Sequence, residues 1–218
     1  PSLETTNELM RQCDLVLATG GGAMVSAAYS SGTPALGVGV GNAVITVDDT
    51  ADLDAAAEKI RLSKTLDLAA SCSSDNSVVL LDGIYEPMLA KLKAQGGYLC
   101  NEEEKAALRN TLWDEELHLN TAIVAQPPEK IAQMAGLNIP AETQFFIVPE
   151  AGWGPEHPFS GEKLSVIMAL YRARDIDHAI ELTQNIQAYQ GQGHSCGIYS
   201  GSDENIMKLA ANTYTSRV

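Results

Sequence analysis

Cys72 stands in the run Ala69-Ala70-Ser71-Cys72-Ser73-Ser74, among side chains too small to cover it. A thiolate needs such access to act as a nucleophile, although a cysteine in a run of this kind is also a common buried packing residue. Thr19-Gly20-Gly21-Gly22 is a glycine turn between an apolar run and a helical one. There a ligand can approach the backbone and a helix N-terminus, or the turn is simply a tight connection. His194, between Gly193 and Ser195, can exchange a proton near neutral pH or hydrogen-bond quietly at a strand end. Glu162 lies in a segment rich in glycine and proline, where its carboxylate is either a ligand acceptor or a surface charge.

The elements around these residues alternate between short apolar runs and amphipathic stretches, which predicts an α/β fold with an open, largely parallel sheet flanked by helices. Strands are expected at 15–18, 34–38, 44–47, 78–81, 144–148, 166–171 and 195–200. A helix over 23–30 follows the glycine turn. Thr50 is expected to cap a helix that ends near Leu66, with Leu53, Ala56, Ala57 and Ile60 at helical spacing. Pro87 fits the first turn of the next helix, and Gly96-Gly97 its end. Asn101 with Glu104 forms a capping-box pattern for a helix reaching Trp113. Pro127-Pro128 opens another helix that Gly136 closes. Residues 150–163 read as a loop. Asp175 and Ser202 begin the last two helices, and the chain is expected to end within the second of them, as a fragment would.

Composition narrows the function classes. Asp and Glu outnumber Lys and Arg 28 to 14, for a formal charge of -14, which opposes attraction to nucleic acid or an anionic membrane. An anionic small molecule can still be held locally by backbone N–H groups. No apolar run reaches the roughly 20 residues of a membrane helix, and the expected location is cytoplasmic. Four scattered cysteines without a C-x-x-C pair, and four scattered histidines, argue against a metal site or a disulfide framework.

The run from Ser63 to Val79 closely resembles the catalytic segment of CoA-acylating aldehyde dehydrogenases. Asp14 to Gly21 and Ala27 to Gly32 resemble the end of that family's cofactor domain, and Glu162-Lys163-Leu164-Ser165 and Gly193-His194-Ser195 resemble two later motifs in the same order. The resemblance implies residues 1–49 as the end of an NAD(P)-binding domain and 50–218 as a catalytic domain. It implies Cys72 as the nucleophile that forms a thioester from an aldehyde, with NAD or NADP as hydride acceptor and coenzyme A as co-substrate. Glu162 would bind the nicotinamide ribose, with Leu164 and the turn of Thr19, Gly20 and Gly21 also on the cofactor side. His194 would deprotonate the CoA thiol or assist Cys72. Val166 stands where the family usually has proline.

Hydrolytic relatives carry Leu-Glu-Leu-Gly-Gly, whose glutamate activates water. This chain has Leu36-Gly37-Val38-Gly39-Val40, and without that carboxylate a thiol is the better acceptor of the acyl group. Ser71 and Ser73 could donate to an anionic tail, which favours sulfoacetaldehyde over acetaldehyde and succinate semialdehyde. A homodimer or homotetramer is the expected assembly. The competing possibilities are a hydrolytic enzyme on the same fold and an inert assembly module.

Overall fold

In the computed structural model, which describes residues 2–218, the chain forms two compact units, one ending at Val40 and the other running Gly41–Val218.

The first unit contains α1 (Leu3–Gln12), β1 (Val16–Thr19), α2 (Gly22–Tyr29) and β2 (Ala35–Val38). Strands β1 and β2 pair in parallel, Val16 opposite Ala35. A small core of Met10, Val16, Ala18 and Ala28 joins the elements. Helix α1 was not anticipated. Ser2 caps it by accepting from Thr5 N, but the helix buries only Met10 and so shows little apolar face in the sequence.

The second unit contains β3 (Ala43–Val47), α3 (Leu53–Thr65), β4 (Asp75–Leu81), α4 (Tyr85–Ala94), β5 (Gly97–Leu99), α5 (Glu102–Leu112), α6 (Pro128–Ala135), β6 (Phe145–Pro149), β7 (Ile167–Ala173), α7 (Ile176–Tyr189), β8 (Cys196–Tyr199) and α8 (Asp203–Asn212). Its six strands lie in the order β5-β6-β7-β4-β3-β8, and every ladder is parallel. All seven residues of β4 are buried, as a central parallel strand covered on both faces requires. The core combines Val78, Val79 and Leu80 with Phe145, Phe146, Leu170 and the apolar faces of α3, α4 and α7.

Several expectations change. The units meet at Val40/Gly41 rather than at residue 49, because β3 pairs between β4 and β8 and so belongs to the second sheet. Asp52, not Thr50, caps α3, accepting from Asp54 N and Ala55 N, while Thr50 donates to Asp48. Gly97 begins an edge strand instead of merely ending a helix. The capping box of Asn101 and Glu104 is present. Helix α8 stops at Asn212, and the residues beyond it are not helical: Thr215 bridges to Gly193, and Cys196 N donates to Arg217 O. No helix among the described residues is long and apolar enough to cross a membrane.

Candidate active site

Sheet order brings the chemistry together. Gly41-Asn42 leads into β3, Cys72 into β4, Glu162 lies before β7 and His194 before β8. These four strands are consecutive neighbours and parallel, so the four preceding loops share one edge of the sheet.

Cys72 is carried on a strained connection. Asp67, Leu68 and Ala69 follow one another at φ 46, 53 and 57°, and the left-handed region costs a non-glycine residue about 1–2 kcal/mol. The loop is closed at its base by Ser63, whose Oγ donates to Asp75 Oδ1 at 2.9 Å and accepts from Asp75 N at 3.1 Å. The end of α3 is thereby tied to the start of β4. Cys72 emerges half-buried between Ser71 and Ser73, whose exposed hydroxyls bond each other at 2.9 Å. Of the four cysteines, all free, Cys13 is exposed, whereas Cys100 and Cys196 are buried. Burial pushes the Cys100 thiol up to about 12.

Glu162 meets Cys72 across Gly41. A Cβ built on Gly41 would stand 2.7 Å from Cys72 Cβ and 3.0 Å from Glu162 Oε1, and Gly41 N donates to that oxygen at 3.2 Å. Burial raises the Glu162 carboxyl to about 7, against the Gly41 N–H and the Lys163 ammonium, which favour its charge. Lys163 is fully buried, with Nζ donating to Phe159 O and Gly161 O at 2.5 and 2.9 Å. Burial, and then the Lys64 ammonium, hold Lys163 well below its ordinary value. Leu164 takes φ 44°, and its carbonyl accepts from Ala125 N.

Asn42, Asn76 and Gln190 join the set, and sequence reasoning missed all three. Asn42 Nδ2 donates to Ser160 O and Gln190 O, and Asn76 Nδ2 donates to Asn42 Oδ1 and Gly161 O. Gln190 Oε1 accepts from Glu162 N at 3.0 Å. Gly191 packs on Asn42 so closely that a Cβ there would meet Asn42 Cβ at 2.4 Å. His194 N donates to Gly191 O, so the turn before β8 extends from this contact to His194. The His194 ring lies 2.9 Å from Ser195 Oγ and makes no hydrogen bond to Cys72. Burial and then the Arg217 guanidinium lower its proton affinity.

Thr19, Gly20 and Gly21 lie in the first unit, where Gly21 caps α2 without a side-chain bond and added methyl groups at Gly21 and Gly22 would meet only open space. The turn thus leaves helix N–H groups free for an anionic or ribosyl ligand. In the same unit lies Gly37, the second residue of the Leu36–Val40 run. A Cβ at Gly37 would stand 2.5 Å from Val25 Cγ1 and 2.9 Å from the Tyr29 ring, and Gly37 N donates to the Tyr29 hydroxyl. A larger side chain there would require the Val25 and Tyr29 side chains to move. Among the described residues no group of three or more His, Cys, Asp or Glu could hold a metal ion.

The parallel α/β sheet bearing this cysteine and glutamate can be set beside known proteins. No family model matches the chain. It is 44% identical to a sulfoacetaldehyde dehydrogenase (acylating) of Cupriavidus necator over 100% of this chain and 44% of that protein. It superimposes on an acetylating aldehyde dehydrogenase of Geobacillus thermoglucosidasius with a TM-score of 0.96 and 38% identity, covering 100% of this chain and 48% of the other. A propionaldehyde dehydrogenase of Rhodopseudomonas palustris, solved with bound CoA and an acylated cysteine, matches at TM-score 0.87 and 26% identity over 97% of this chain and 48% of its own. Over its whole length the chain is thus similar to acylating aldehyde dehydrogenases in sequence and in fold. It spans about half the length of these relatives.

Proposed function

We propose that the chain is the cysteine-bearing half of a CoA-acylating aldehyde dehydrogenase, with sulfoacetaldehyde as the aldehyde. The observation that carries this reading is the shared space at Gly41, where Cys72 Cβ and Glu162 Oε1 both lie within 3.0 Å of the position a Cβ would take. In the proposed reaction Cys72 attacks the aldehyde carbon to give a thiohemiacetal. Bound NAD or NADP supplies the hydride acceptor. Glu162 holds its ribose hydroxyls, aided by Leu164, and in the first unit the turn of Thr19, Gly20 and Gly21 offers backbone N–H groups to a nucleotide. A carboxyl near 7 both donates and accepts, which suits a pair of hydroxyl groups. Cys72 is left carrying the acyl group as a thioester and departs as thiolate when the CoA thiol takes it, while His194 accepts the thiol proton. A glycine at position 37, closely packed by the Val25 and Tyr29 side chains, supports thiolysis over hydrolysis, since it offers no carboxylate to activate water.

The exposed hydroxyls of Ser71 and Ser73 support an aldehyde with an anionic tail, as does the likeness to the Cupriavidus necator enzyme. The same chemistry serves acetaldehyde and succinate semialdehyde. A homodimer or homotetramer in the cytoplasm completes the proposal. It is tested by following reduced cofactor formed by the complete gene product carrying this sequence, with each of the three aldehydes, with and without CoA, and with NAD or NADP. Turnover that requires CoA and is fastest on sulfoacetaldehyde is expected. CoA-independent turnover to the free acid would refute the acylating reaction.

A further inference from the structure

Asn42 is fully buried and Asn76 is 4% exposed. A buried amide needs its donors and acceptor satisfied. Here each bond reaches a different segment of the site. Asn42 donates at 2.7 Å to the carbonyl of Ser160, two residues before Glu162, and at 3.0 Å to that of Gln190. Its own Oδ1 accepts from Asn76 at 2.5 Å. Asn76 lies four residues beyond Cys72 and also donates at 2.8 Å to Gly161 O. Gln190 in turn fixes the backbone N–H of Glu162, and Gly191 lies against Asn42.

We infer that Asn42 and Asn76 are positioning residues whose linked amides hold the Cys72 strand, the Glu162 loop and the Gln190–Gly191 turn in register around Gly41. Neither side chain touches the reacting atoms. Their effect is on where Cys72 and Glu162 stand relative to one another, and errors of about 1 Å in such placement cost on the order of a hundredfold in rate. The inference deepens the proposed function and rests on it only for the turnover measurements.

The test is Asn76→Ala in the complete gene product, with Asn76→Ser, which keeps one donor, as the milder variant. Alkylation of Cys72 by iodoacetamide is followed against pH by peptide mass spectrometry, with kcat and KM for CoA-dependent aldehyde oxidation alongside. Protection of the buried Cys100 and Cys196 reports that the fold is kept. In the folded alanine variant the rate of Cys72 alkylation at each pH is expected to differ from the parent's by at least about threefold, and kcat to fall by at least about tenfold. KM for the aldehyde stays within about twofold, because no substrate contact is removed. The serine variant recovers part of the loss. A folded variant with the parent alkylation profile and kcat would overturn the inference, as would exposure of Cys100 and Cys196 in both variants, which would assign the amides to folding alone. Alkylation needs neither aldehyde nor CoA, so a protein without CoA-dependent turnover still reports on positioning and separates this failure from that of the proposed reaction.

Discussion

Cys72 and Glu162 are separated by the room of one absent side chain, that of Gly41, whose N–H also anchors the Glu162 carboxyl. Gly41→Ala places a methyl group 2.7 Å from Cys72 Cβ and 2.9 Å from the Cys72 carbonyl oxygen, and neither atom belongs to a flexible side-chain end. Overpacking of this kind costs about 1–3 kcal/mol, and turnover is expected to fall by about a hundredfold. Gly39→Ala, where nothing lies within 4 Å of the added methyl, is the control and should change either quantity little. Steady-state rates with thermal unfolding of both variants check this.

Restoring the hydrolytic glutamate at Gly37 is expected to fail. The side chain would enter Val25 and the Tyr29 ring at 2.5 and 2.9 Å, so Gly37→Glu should destabilise the first unit without producing CoA-independent release of acid. Assaying free acid against acyl-CoA in the variant decides it, and efficient hydrolysis would contradict the steric account.

Glu162 makes stability depend on pH. Its carboxyl is raised from 4.5 to about 7, chiefly by burial, so the folded chain holds this proton more tightly than the unfolded chain. Its contribution is favourable at low pH and declines as pH rises from about 4.5 through 7. Glu162→Gln cannot ionise, so its unfolding temperature relative to the parent should climb between pH 5 and pH 8. The carboxyl is partly solvated, which limits the effect to about 1 kcal/mol, on the order of 2–4 °C in a chain of this size. A difference that stays flat across this range would refute the assignment.

Arg217 bears on His194. Burial is the main cause of the lowered proton affinity of His194, and the Arg217 guanidinium is the second. Arg217→Ala should therefore move the His194 titration to higher pH, visible in the imidazole proton resonances. The acid limb of turnover should move the same way if His194 takes the thiol proton.

Much of the fold is legible because the buried strands are short, continuous apolar runs. Val78 to Leu81, Phe145 to Val148 and Ile167 to Tyr171 stand out from the helices between them. Cys72 and Glu162 are legible through local motifs, and the structure brings both to Gly41. The supporting amides are not, since Asn42 bonds partners 34, 118 and 148 residues away, and Gly41-Asn42 reads locally as a turn. The one available signal was a polar amide at the entry of each of two apolar strands. The boundary at Val40/Gly41 was hidden for a related reason, because which sheet β3 joins depends on pairing with β4 and β8.

The central claim, that Cys72 carries the acyl group exchanged with CoA, is tested most directly by running that exchange backwards. The complete gene product is mixed with acetyl-CoA without nicotinamide cofactor, and its cysteine peptides are weighed by mass spectrometry. Acyl transfer from the CoA sulfur to a protein thiol releases free CoA and needs no oxidant. An acetyl group on Cys72, with the exposed Cys13 unmodified and the label abolished in Cys72→Ala, is the predicted result. Acetylation at Cys13 instead, or release of no CoA, would contradict it.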